Sequence, residues 1–156
     1  MTCRPDAGIG TDNLPILGTT PPTLKESLPT MRTYLLDGRR ISTIDDFYRE
    51  IGEVVNGEGG WFGQNLDALA DCLHGSFGTP PLGEYDVTWE HADLSRRALD
   101  FAERVRYDTA LLESTPEHDR DRLRRRIARS ERREGRTPFE EFLQVFGDVG
   151  VELRLA

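Results

Sequence analysis

Two carboxylates four residues apart, Asp67 and Asp71, stand in the run WFGQNLDALADCLHG from Trp61 to Gly75, just after a loop containing Gly57, Gly59, Gly60 and Gly63. On a helix that spacing puts both on one face, where they repel by roughly 0.2 to 0.5 kcal/mol. Two explanations compete for each. Asp67 falls in the first turn after Asn65, a natural N-cap, so the helix dipole alone can account for a carboxylate there. Asp71 lies beyond the reach of that dipole and is either a solvated surface charge or a group held out for a cationic partner. Trp61 and Phe62 follow glycines directly; tryptophan dominates interface hot spots, whereas Phe62 is equally suited to the core. Gly63 marks a backbone conformation that other residues avoid. Asn65 either caps the helix or touches a partner.

Other chemistries find little support. His74, His91 and His118 show no metal-ligand spacing, and the lone Cys72-x-His74 pair is too little for zinc, so no metal and no cofactor are expected. The loop glycines lack a following Lys-Ser/Thr, and no G-x-S-x-G nucleophile motif occurs. The 156 residues suffice for one domain with extensions. With 28 acidic and 20 basic residues the formal charge is −8, which disfavours indiscriminate nucleic-acid binding and suits a cationic partner. Two cysteines, Cys3 and Cys72, imply no disulfide framework. Neither a membrane span nor a signal-peptide pattern is evident, and a cytoplasmic location is expected.

The elements that must position the two carboxylates can be read from periodicity. Residues 1–30 hold five of the nine prolines and no sustained pattern, and read as a disordered tail. Arg32 to Leu36 reads as a strand closed by a turn at Asp37-Gly38. A helix capped by Ser42 or Thr43 places Ile44, Phe47, Ile51, Val54 and Val55 on one face and ends near Asn56-Gly57. After Asn65, Leu66, Leu69, Ala70 and Leu73 form the apolar face of a second helix. Asp86 to Glu90 reads as a strand, and Leu94, Ala98, Phe101, Ala102 and Val105 as one further helix. Thr137-Pro138-Phe139-Glu140 is a capping box with proline at the first helical position, opening a helix through Phe146. Val151, Leu153 and Leu155 make a last alternating strand. Strands separated by helices imply a parallel sheet in an α/β fold.

Between these elements, residues 116–136 carry nine arginines against five acids, while the rest of the chain sums to −12. A solvated helix laced with salt bridges to Glu117, Asp119, Asp121, Glu131 and Glu134 accounts for this stretch; phosphate binding is the competing reading. We read 31–156 as one domain with a peripheral, arginine-rich helical insertion at about 108–136.

The run from Trp61 to Leu73 resembles the inhibitory loop and helix of the barstar family, intracellular inhibitors of a secreted ribonuclease. YLLDGRRISTIDDFY (Tyr34 to Tyr48), FLQVF (Phe142 to Phe146) and the final VELRLA extend the resemblance to about two thirds of the chain. It implies three parallel strands with helices packed against them and no enzymatic activity. It also implies a basic, barnase-like ribonuclease as partner, met by carboxylates that imitate RNA phosphates. Carried over residue by residue, the partner-binding set is Trp61, Gly63, Asn65, Asp67 and Asp71, with the family's additional acidic contact falling on Asp148. Ala70 and Ser76 stand where the family has bulky aromatics. A nucleic-acid-binding regulator working through Arg120 to Arg136, and an interaction module for a protein other than a ribonuclease, are the alternatives.

Overall fold

A computed structural model describes residues 30–156; the expected N-terminal tail lies outside the described residues. Strand β1 (Arg32–Asp37) leads through a short 3-10 turn into α1 (Ile44–Asn56), α2 (Leu66–Asp71), β2 (Tyr85–Glu90), α3 (Ala92–Ala98), α4 (Phe101–Ser114), α5 (Glu117–Glu131), α6 (Pro138–Val149) and β3 (Glu152–Leu155). The three strands form one parallel sheet in the order β1-β2-β3. Arg32 is opposite Tyr85 and Asp37 opposite Glu90, while Asp86 is opposite Glu152. The fold is the three-stranded parallel α/β arrangement expected.

Alternation sets the buried face of the sheet. Tyr34 and Leu36 of β1 and Tyr85, Val87 and Trp89 of β2 are buried, with Val151 closing the edge just before β3. Onto this face α1 lowers Phe47 and Ile51, and α6 lowers Phe142 and Phe146. The Phe47 and Phe142 rings stack with centroids 3.7 Å apart, and Trp89 lies beside both Phe47 and Phe139. The indole N–H of Trp89 donates to Ser95 Oγ at 3.0 Å, which satisfies the polar end of a fully buried ring.

Both main packing helices start where their caps dictate. The Thr43 hydroxyl accepts from Asp46 N–H at 3.0 Å while the Asp46 carboxylate accepts from Thr43 N–H at 3.1 Å. Thr137 and Glu140 make the same reciprocal pair ahead of α6.

One expected helix is two. Instead of running from Leu94 through Val105, the chain breaks at Leu99-Asp100, where the Asp100 carboxylate accepts from Glu103 N–H at 3.1 Å and starts α4 afresh. The apolar periodicity misled because α4 buries polar groups: Glu103, Arg104 and Asp108 are its buried residues, while Leu94 of α3 is exposed. Helix α4 also continues unbroken through 108, where the sequence reading began the insertion. The α4–α5 hairpin begins after Leu99 and closes at Phe139, whose N–H donates to the Leu99 carbonyl at 3.3 Å, so its two ends meet.

Candidate protein-binding site

The loop from Gly57 to Asn65 is seated on the end of α1 by a backbone-to-backbone approach. A side chain at Gly52 would put its Cβ 2.2 Å from the Gly60 carbonyl oxygen, so the two strands of chain meet only because both residues lack one. Gly63 has φ +92°, and a Cβ there would lie 3.0 Å from Leu69 N, against the first turn of α2. Between these contacts Phe62 turns inward and is completely buried, whereas Trp61 turns outward and is half exposed.

Helix α2 begins at Asn65, whose side-chain oxygen accepts from Ala68 N–H at 2.8 Å. Leu69, Cys72 and Leu73 anchor its inner side in the core. After Asp71 the helix widens into a single π turn, Cys72–Ser76, ended by Gly75 at φ 107°. The Cys72 and Leu73 carbonyls accept the Thr79 hydroxyl at 2.9 Å and the Tyr85 hydroxyl at 2.5 Å. This pins the end of the helix to β2. Burial, joined by the neighbouring Asp71 carboxylate, pushes the Cys72 thiol up, as befits a packing residue.

On the opposite side Asp67 and Asp71 are both exposed, and neither has an ion-pair partner among the described residues. That sets them apart from their neighbours. Between Thr43 and Glu90 there are ten acids and one base. Five of the acids are paired: Asp45 with Arg106, Asp46 with Arg49, Glu50 and Glu53 with Arg40, and Asp86 with Arg154. Asp67 and Asp71 belong to the five left over, on a helix held rigidly from its inner side.

Three residues that frame this surface, Asn56, Phe77 and Tyr107, escaped the sequence reading. Asn56, the last residue of α1, donates its side-chain amide to the Trp61 carbonyl at 2.9 Å and the Phe77 carbonyl at 3.0 Å, tying together the loop before α2 and the chain after it. The half-exposed Phe77 ring meets Trp61 edge-on, centroids 5.8 Å apart. The signal was present: Phe77 precedes Gly78 as closely as Trp61 follows Gly60, and an aromatic beside a glycine in a loop is a candidate for exposure. The second unforeseen contact comes from α4, where the Tyr107 hydroxyl donates to the Gln64 carbonyl at 3.4 Å and so buttresses the loop. Burial, reinforced by Asp45, raises the Tyr107 phenol above its ordinary range.

Asp148 is exposed in the last turn of α6 and lines one hollow together with Leu66 of α2. The structure therefore gathers Trp61, Gly63, Asn65, Asp67 and Asp71 on one continuous segment, with Asp148 approaching from the far end of α6. Asn65 is committed to its cap. Among the described residues no cluster of three or more His, Cys, Asp or Glu side chains is arranged to hold a metal ion, and no helix is long and apolar enough to cross a membrane.

No curated protein sequence matches this chain. Residues 31–128, from the first strand to near the end of α5, match the family described as Barstar (barnase inhibitor). With the parallel three-stranded sheet, the loop seated on α1 and the acidic second helix all in place, the chain belongs to the barstar family.

Proposed function

We propose that the protein is a stoichiometric inhibitor of a basic ribonuclease, inserting Asp67 and Asp71 into its cationic active site and performing no chemistry of its own. The observation that carries this reading is the unpaired, outward-facing carboxylate pair on a helix whose other side is locked into the core. A preorganised anion loses little side-chain freedom on binding, so more of its interaction energy appears as affinity. Trp61, half exposed in the loop that leads into α2, supplies apolar contact area, and Asp148 adds charge at the rim. The local excess of nine negative charges from Thr43 to Glu90 raises the rate of encounter with a cationic enzyme. Such an inhibitor acts where its own cell needs protection, in the cytoplasm, without cofactor or metal.

The test is inhibition of barnase and of the small basic ribonucleases encoded in the same genome, comparing the wild-type chain with Asp71→Ala. Truncating one member of a buried charge pair across an interface costs roughly 2 to 5 kcal/mol, a rule for which barnase and barstar are themselves a source case. Asp71→Ala should release the ribonuclease faster while its thermal midpoint stays put, because the change removes the repulsion with Asp67 and adds a strong helix former. Equal inhibition by both proteins would remove α2 from the interface.

A further inference from the structure

Apart from Arg126, which is bound to Asp108 of α4, and Arg133, which lines a different hollow, the arginines of α5 and of the turn after it divide into two sets. Arg120, Arg124 and Arg132 are spent on local acids, pairing with Glu117, Asp121 and Glu134. Arg122, Arg125, Arg129 and Arg136 have no ion-pair partner among the described residues and line one hollow against α6. Spacings of three and four put Arg122, Arg125 and Arg129 on one face of α5, and the turn after the helix brings Arg136 to the same hollow. A helix that needed only solubility would intersperse its charges as the first set does; concentrating four unpaired guanidinium groups costs repulsion unless an anion settles among them.

Two adjoining hollows connect this strip to the acidic site. Arg122 lines one with Asn65 and Asp67, and Arg129 and Arg136 line the other with Leu66 and Asp148. The cationic strip is thus bordered by carboxylates, Glu134 and Glu141 included. An extended polyanion leaving the hollow would run into them. A few carboxylates presented on a folded surface would not, and each offers the planar geometry that a guanidinium fork binds bidentately.

We propose that the arginine strip of α5 is the second half of the partner-binding surface, seating carboxylates on the rim of the same ribonuclease whose cationic cleft receives Asp67 and Asp71. This rests on the inhibitor reading above. It makes the α4–α5 hairpin a determinant of which ribonuclease is bound, since a basic cleft is common to such enzymes and the acidic rim is not.

The experiment replaces Arg122, Arg125 and Arg129 together, by Glu in one variant and by Gln in another, and measures association and dissociation with the ribonuclease that the wild-type chain inhibits. The Glu variant becomes more acidic overall, so long-range attraction to a basic enzyme can only grow. A loss of affinity must then come from local contacts. The expected result is roughly a 10- to 100-fold loss for the Glu variant, mainly through faster dissociation, and a smaller loss for the Gln variant, with unchanged thermal midpoints. Wild-type affinity in both variants, alongside a weakened Asp71→Ala, overturns the proposal and leaves the inhibitor reading intact. A wild-type chain that binds no basic ribonuclease overturns both. Retention of a short labelled single-stranded RNA by the wild-type chain at physiological salt, lost in the Glu variant while ribonuclease binding persists, assigns the strip to nucleic acid instead.

Discussion

Helix α2 and helix α4 use charge in opposite ways. In α2 and the π turn that ends it the apolar side chains Leu69 and Leu73 are buried, and the carboxylates of Asp67 and Asp71 are left outside without ion-pair partners among the described residues. In α4 the buried residues are themselves charged. Asp108 is fully buried and accepts two hydrogen bonds from the Arg126 guanidinium, at 2.6 and 2.5 Å, which clamps α5 onto α4. Arg104, also buried, pairs with Glu141 of α6. The Glu103 carboxylate accepts from Ile44 N–H at 2.8 Å, satisfying a free donor at the start of α1. Leu123 is the single buried hydrophobic residue that α5 contributes. The same residue types are therefore left free at the surface where hydrophobic packing already secures the helix, and act as mechanical fasteners where it does not.

The sharpest way to break this contrast is Asp108→Ala. It takes the carboxylate from Arg126, whose side chain is 43% exposed, and from the buried Arg104, which keeps Glu141, so the cost should fall near the lower end of the roughly 3 to 5 kcal/mol for breaking a buried ion pair. Urea unfolding should show that loss, against almost none for Asp71→Ala; similar midpoints for the two variants would mean that the charges of α4 are no more structural than those of α2. Replacing Asp108 and Arg126 together by leucine should restore most of the stability, because no uncompensated charge remains from that pair.

Gly63→Ala probes the loop side. Forcing an alanine to φ +92° with its Cβ 3.0 Å from Leu69 N should cost roughly 1 to 3 kcal/mol. Part of that strain is relieved by moving the loop, so inhibition should suffer more than the urea midpoint does. A variant that inhibits normally would show that the loop conformation is not what positions α2.

A smaller effect separates the two regions by pH. Burial raises the Tyr85 phenol to about 12, and its hydroxyl holds the end of α2 through the Leu73 carbonyl. A group whose folded pKa lies above its unfolded value of about 10 contributes fully below pH 10 and progressively less as pH rises toward 12. Allowing for partial solvent screening, about 1 to 2 kcal/mol should disappear over that window. Tyr85→Phe should flatten the alkaline decline while losing about 1 kcal/mol at neutral pH from the missing hydrogen bond. An unchanged alkaline slope would place the responsible group elsewhere.

The smallest expected effect is that of residues 1–30. Their composition cannot bury enough apolar surface to offset ordering, so a chain beginning at Met31 should unfold within about 1 kcal/mol of the full-length protein. A larger drop in the urea midpoint would give the segment a packing role.

Where local chemistry decides structure, the amino-acid order was sufficient. Thr137 with Glu140 announced the start of α6 because a capping box is satisfied within four residues, and Ser42 or Thr43 announced that of α1, where the structure chooses Thr43 and completes the box with Asp46. Asn65 announced α2 as its N-cap, and Val87 and Trp89, two apart in Asp86 to Glu90, announced the central strand, which the structure begins one residue earlier at Tyr85. Asp67 and Asp71 were visible as a pair because helical spacing alone puts them on one face. Asp100 was as strong a cap as the others, yet the apolar repeat running past it concealed the break between α3 and α4.

What only the tertiary structure decided is which charges are partnered and which are free. Asp71 and Asp108 are the same residue type in helical sequence, one exposed and one fully buried, and nothing within a few residues of either distinguishes them. Asp108 finds Arg126 eighteen residues away, on a different helix. The inward turn of Phe62 and outward turn of Trp61 likewise depend on where α1 and the core stand. Caps and periodicities are short-range and belong to the chain; burial and ion pairing are set by segments distant in sequence, so they exist only once the sheet, α1, α6 and the hairpin have come together.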